Sequence, residues 1–111
     1  MHLKNTGVDL GQFLSYLSAR QEIIAANIAN ADTPGYKTRD IGTEFSAALA
    51  EARDAVVEVP GLAARNDGNN VKIDREARLL AENAIRFNLA TQILRGQIKD
   101  IRSAIQEGRA S

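Results

Sequence analysis

Few residues in this 111-residue chain are able to do covalent chemistry, and none has the company it would need. The only histidine, His2, stands at the very start, so neither a histidine triad nor a histidine metal cluster can be built. There is no cysteine, which excludes disulfides, thiolate metal sites and cysteine nucleophiles. Asp67, Asn69 and Asp74 offer the residue types of a calcium loop. Their glycine falls at the second position rather than the sixth, however, and no glutamate closes the loop at the twelfth. A plain turn remains. Glu44 and Glu51 stand seven apart and can share a helix face, yet nothing else converges there, so a solvated face explains them. Tyr16 and Tyr36 lack a nucleophile context, and no dinucleotide fingerprint, Walker loop or nucleophile elbow occurs. The residues point away from an enzyme: no catalytic, cofactor-binding or metal-ligating set can be assembled.

What the sequence does offer is the chemistry of close backbone recognition. The stretch from Ala26 to Tyr36, Ala-Asn-Ile-Ala-Asn-Ala-Asp-Thr-Pro-Gly-Tyr, closes a long amphipathic segment. Asn27 and Asn30, three apart, fall on one helical face. Asparagine is a poor interior helix residue because its amide competes for backbone groups. Two on one face, with alanines between, predict an amide-lined seam where another backbone comes close. Pro34 then pushes Thr33 out of the helical region, and Gly35 supplies the positive φ of a type II turn. The plainer alternative is a frayed helix end followed by a turn.

Composition narrows the class to one small domain with a modest core. Aromatic residues are only 5% and tryptophan is absent, so the core must come from Ile, Leu, Val and Ala, which suits helix packing. A formal net charge of zero gives no nucleic-acid or anionic-membrane footprint. The first residues show no apolar core of a secretory signal, and no apolar run approaches the roughly 20 residues that span a bilayer. Direct membrane insertion is therefore not expected.

Two long stripes organise the chain. The first is predicted as a helix from about Val8 to Ala31, with Leu10, Leu17 and Ile24 repeating every seven residues. Arg20, Gln21 and Asn27 put polar groups into that seam, a pattern that fixes register. The second is predicted from Asp74, a good N-cap, to about Glu107, with Gly108 as a stop. Leu80, Phe87, Leu94 and Ile101 repeat every seven residues along it, and Ile85, Leu89 and Ile93 form a further stripe to one side. One partner helix covers only one seam, so two stripes imply neighbours on more than one side. Between the helices, 41–53 reads as a short helix. The Ala55–Val59 and Val71–Ile73 segments read as a candidate small β-hairpin. The expected fold class is mainly α: two long amphipathic helices packing as a coiled-coil-like hairpin around an irregular middle. One structural domain would comprise an N-terminal helix and motif (1–36), the middle segment (37–73) and a C-terminal helix (74–111).

The chain resembles the flagellar basal-body rod proteins, and the proximal type of subunit most of all. The resemblance rests first on the Ala-Asn-Ile-Ala-Asn-x-x-Thr-Pro-Gly-Tyr core at Ala26–Tyr36. Further support comes from Thr38-Arg39-Asp40-Ile41 with Phe45, from Gly68–Glu76, from Leu80–Asn83 and from Ile101–Ile105. The middle is short for the family. The resemblance implies a structural subunit that polymerises helically into the periplasmic driveshaft between motor ring and hook. Implied partners are copies of itself, other rod proteins, the motor-ring junction and the flagellar type III export gate, which would export it without a cleaved signal. Asn27, Ile28, Asn30, Thr33, Pro34, Gly35 and Tyr36 would be the assembly motif. Phe45 and Leu49 match the short Phe-x-x-x-aliphatic element that the gate reads, although this spacing is also an ordinary helix pair. The rival reading is a cytoplasmic helical-hairpin adaptor or export chaperone that dimerises through the same heptads.

Overall fold

The computed structural model describes residues 3–42 and 56–110. The order is helix α1 (Leu3–Ala29), strand β1 (Arg39–Ile41), strand β2 (Val56–Glu58) and helix α2 (Ile73–Ala110). Two long helices and a two-stranded antiparallel sheet give a mainly helical molecule measuring 71 × 24 × 18 Å. At 1.5 Å per residue the 38 residues of α2 make a rod of about 57 Å, and the 27 of α1 one of about 40 Å. The shorter helix cannot cover the longer.

Local chemistry explains the elements. Helix α1 ends where Pro34 follows, and Thr33–Tyr36 closes a turn with the Tyr36 N–H on the Thr33 carbonyl at 3.2 Å. Gly35 sits there at φ 76°, as the type II geometry requires. Asp74 and Glu76 bring negative charge to the first turn of α2, where the helix dipole favours it. Helix α2 runs through Gly108 instead of stopping there, and both helices begin earlier than their stripes suggested. A single glycine costs a helix only about 1 kcal/mol against alanine, too little to stop it.

The helices lie antiparallel, with Asn27 against Glu76 and Leu17 against Asn83. From α1 the seam buries Leu17 and Ile24 completely, while Leu10 is half-buried. Each fully buried side chain of this size contributes about 1.5–3 kcal/mol. The facing side of α2 buries Glu76, Leu79, Asn83 and Ala90. The stripe read from the sequence names the adjoining positions: Leu80 and Leu94 are half-buried, Phe87 is 39% exposed and Ile101 60% exposed. Glu76 and Asn83 are polar, so a reading by apolar periodicity passes over half of the true seam.

The sheet also differs from expectation. Strand β2 pairs with Arg39–Ile41, in the register Arg39↔Glu58, Asp40↔Val57 and Ile41↔Val56. The Val71–Ile73 segment is not its partner; Ile73 already belongs to α2. Ile41, expected to open a short helix, is strand residue and core. The rest of that expected helix, with Glu44, Phe45, Leu49 and Glu51, lies outside the described residues.

Candidate assembly site

Polar and apolar residues are buried in equal number among the described residues, and all the polar ones but Asn83 gather at one end of the helix pair. There the last turns of α1, the chain leading into β1, the 65–72 loop and the first turn of α2 meet.

Asn27 is the centre. Its side chain is fully buried, and all of its hydrogen-bonding capacity is used. Nδ2 donates to the Arg39 carbonyl at 2.8 Å and to Glu76 Oε1 at 2.5 Å. Oδ1 accepts from the Arg39 N–H at 3.0 Å and from the Tyr36 hydroxyl at 3.1 Å. One amide thus reads both backbone groups of Arg39, as a neighbouring strand residue would. Strand β1 is paired with β2 on one side and with a helix side chain on the other. Glu76, also fully buried, divides its carboxylate between Asn27 and the Arg75 guanidinium at 2.6 Å. A bidentate ion pair from Arg20 to Asp40, both bonds 3.0 Å, fastens the same strand to α1. The Asp40 carboxylate, bonded directly to the guanidinium, raises the pKa of Arg20 above its ordinary value.

Asn30 behaves differently from Asn27. Its amide donates to the Ala26 carbonyl of its own helix and accepts from the Thr33 hydroxyl at 3.0 Å, in an exposed setting. The two asparagines share a face in sequence, but only Asn27 meets a distant backbone. Ile28 and Tyr36 are half-buried, while Thr33, Pro34 and Gly35 are exposed. The Arg39 guanidinium lies over the Tyr36 ring, 5.7 Å from its centroid.

By its sequence alone, 66–70 reads as a plain turn. In the structure Asn69 is fully buried and donates to the carbonyls of Asn30 and Thr33 at 2.9 and 2.8 Å, closing the end of α1. Its Oδ1 accepts from the Val71 N–H. Asn70 accepts the Thr38 N–H at 2.6 Å and donates its own N–H to the Tyr36 carbonyl. Arg65 reaches the Ala31 carbonyl at 2.7 Å, and Lys37 donates to the Gly68 carbonyl. Gly35 and Gly68 touch: a Cβ on Gly68 would lie 3.3 Å from the Gly35 Cα, and both have positive φ. Asp67 accepts from the Asn69 N–H and from Arg65, which holds its carboxyl below the ordinary value, the backbone bond being the larger cause. Along the seam Asn83 donates to the Leu17 carbonyl and to Gln21, both at 2.9 Å. The signal for these residues was the asparagine pair after an Asp-Gly turn, an excess of amides beyond what a turn needs.

The other end has the opposite character. Ile85, Leu89 and Ile93 on one face, and Ile98, Ile101 and Ile105 on another, are all exposed. No helix among the described residues is long and apolar enough to cross a membrane. No group of three or more metal-ligating His, Cys, Asp or Glu occurs among them either.

The model of the flagella basal body rod protein family matches residues 14–37, the segment that carries Asn27 and the Pro-Gly turn. The chain is 36% identical to the flagellar basal body rod protein FlgB of Yersinia ruckeri, covering 86% of this chain and 89% of that one. It is 34% identical to the corresponding protein of Escherichia coli K12 over 86% and 88%, and 30% identical to that of Proteus mirabilis over 96% and 97%. The chain belongs to the flagellar basal-body rod protein family. In this family it is a structural component of the rod, and its partners are other rod proteins. The match to the Yersinia ruckeri protein runs over 123 aligned positions, more than the 111 residues of this chain, so that relative carries extra residues inside the match.

Proposed function

We propose that the chain is a proximal rod subunit whose helix pair becomes complete only between neighbours in a helical assembly. The observation that carries this reading is the asymmetry of α2. Its first turns are closed against the polar end, whereas its later turns present apolar side chains on two faces that α1 leaves uncovered. A lone soluble chain gains nothing from six exposed isoleucine and leucine side chains, and rows of this kind mark interaction surfaces. A shallow groove beside the seam, lined by Ser18, Gln21, Glu22, Ala84, Phe87 and Asn88, offers a further lateral seat. Contacts that repeat without closing on themselves build a helical polymer.

In this reading the seam residues Leu10, Leu17, Ile24, Leu80, Phe87, Leu94 and Ile101 divide between intrachain and interchain packing. The motif residues Asn27, Ile28, Asn30 and Thr33–Tyr36 hold the subunit in its assembling shape. The protein reaches the periplasm through the flagellar type III apparatus without a cleaved signal, with Phe45 and Leu49 read by the export gate. It joins the rod next to the motor-ring junction and catalyses nothing. The test is purification of hook–basal bodies from the native host, with this chain located in a density map of the rod. Detection at the rod base supports the reading; a chain confined to the cytosol in a motile cell would overturn it. For the export element, Phe45→Ala should lower the secreted amount, and unchanged secretion would remove that role.

A further inference from the structure

We propose that residues 65–76 close on the Ala26–Tyr36 motif as an intrachain latch, without which the motif's turn does not hold its shape. The family match stops at Lys37, yet the bonds that tie its turn to the rest of the fold include several from beyond residue 64. The Gly35 N–H goes to the Asp67 carbonyl at 2.8 Å. Asn69 donates to Asn30 and Thr33, Arg65 to Ala31, and the Asn70 N–H to Tyr36. Glu76 takes a hydrogen bond from Asn27, 49 positions earlier.

A residue serving only its own turn would be exposed and would spend its donors nearby. Asn69 is fully buried and both of its amide donors leave the loop. The contact of Gly68 with Gly35 completes the fit, because two turns with positive φ lie backbone to backbone and exclude any side chain between them. Asn69, Asn70 and Glu76 are therefore positioning residues for the signature. The energetics are conditional. Ordering 30–40 requires closure of the chain that intervenes before residue 65, and the entropy of that closure is recovered only when the asparagines dock. Without them the carbonyls of Asn30 and Thr33 lose the Asn69 amide and the end of α1 frays. A chain of which only the first 64 residues have emerged thus carries an unlatched signature. If the subunit is exported N-terminus first, assembly competence arrives only after Glu76.

Hydrogen exchange on the purified full-length chain tests the latch. Asn69→Ala should accelerate exchange at the Gly35, Tyr36, Thr38 and Arg39 amides by about tenfold or more, although they lie some thirty positions earlier. Amides in 17–24 and 79–90 should change less than about threefold. Asn69→Asp, which keeps the acceptor for Val71 and loses both donors, should behave like the alanine variant at those amides. Acceleration confined to 65–71 would overturn the proposal. Should Asn69→Ala loosen the whole chain, Arg65→Ala decides, since it removes one exposed bond across the latch. Selective acceleration in 30–40 then supports the latch, and a uniform change or none overturns it. The result is independent of whether the chain is found in basal bodies, so the latch and the rod reading fail separately.

Discussion

The two ends of the helix pair solve the same problem in opposite ways. Where α1 ends and α2 begins, polar groups are buried and nearly all are matched within the chain. Asn27 alone satisfies four bonds. Where α1 begins and α2 ends, the apolar side chains of Ile98, Ile101 and Ile105 stand in solvent. A buried amide with every partner in place rigidifies and specifies one arrangement, because leaving any partner out is costly. An exposed aliphatic row specifies no arrangement until something covers it. The closed end therefore fixes the subunit's own shape, and the open end is the one the proposed assembly would cover.

That contrast can be broken most sharply in the middle, where both ends depend on the seam. Leu17→Ala should cost about 2–5 kcal/mol in chemical denaturation, because it deletes the most buried aliphatic contact between the helices. Asn27→Ala should cost about 3 kcal/mol, since it leaves Glu76 and the Arg39 backbone without their partner in a buried site. A smaller loss, of about 1–3 kcal/mol, is expected for Gly68→Ala, which forces a Cβ toward Gly35 at a backbone angle disfavoured for alanine. Acid should act more gently still. The folded Asp67 carboxyl titrates below its unfolded value, so its contribution is present above about pH 4 and is lost as pH falls through the lower, folded pKa. Hydrogen exchange of the 65–70 loop between pH 6 and pH 3 should show protection falling at the acid end; flat protection would refute it. At the bottom of the scale, Ile101→Ser should leave the isolated chain within roughly 0.5 kcal/mol of wild type. The same variant should be depleted from purified basal bodies, and full incorporation would deny the open end its assigned part.

Much of this layout was legible in the sequence. The seven-residue spacing of Leu10, Leu17 and Ile24 announced the first helix, and Pro34-Gly35 announced its end. Asn27 and Asn30 both stand out because an asparagine in a helix interior needs a reason; a distant backbone is that reason for Asn27 alone. The second seam was harder. Its buried face alternates Glu76, Leu79, Asn83 and Ala90, and a period counted on aliphatic residues selects the row beside it. The partner of β2 was hidden as well, because Arg39 and Asp40 are charged and Ile41 reads as the start of a short helix. Its pairing is set by Asn27 and Arg20, side chains a dozen and more positions away. Asn69 and Asn70 look like turn residues because their local chemistry is that of a turn. Only the distant carbonyls they meet reveal the second use.

The antiparallel course of the helices has a practical corollary. The first turn of α1 and the last turns of α2 lie at the same extremity, away from the Gly35–Gly68 contact. A fluorescent or affinity label fused to either terminus would crowd the exposed aliphatic rows. The Pro60–Ala64 stretch, exposed except for a half-buried Leu62 and bending at Gly61, sits toward the opposite pole and is the safer place to carry an insertion, at Ala63 or Ala64.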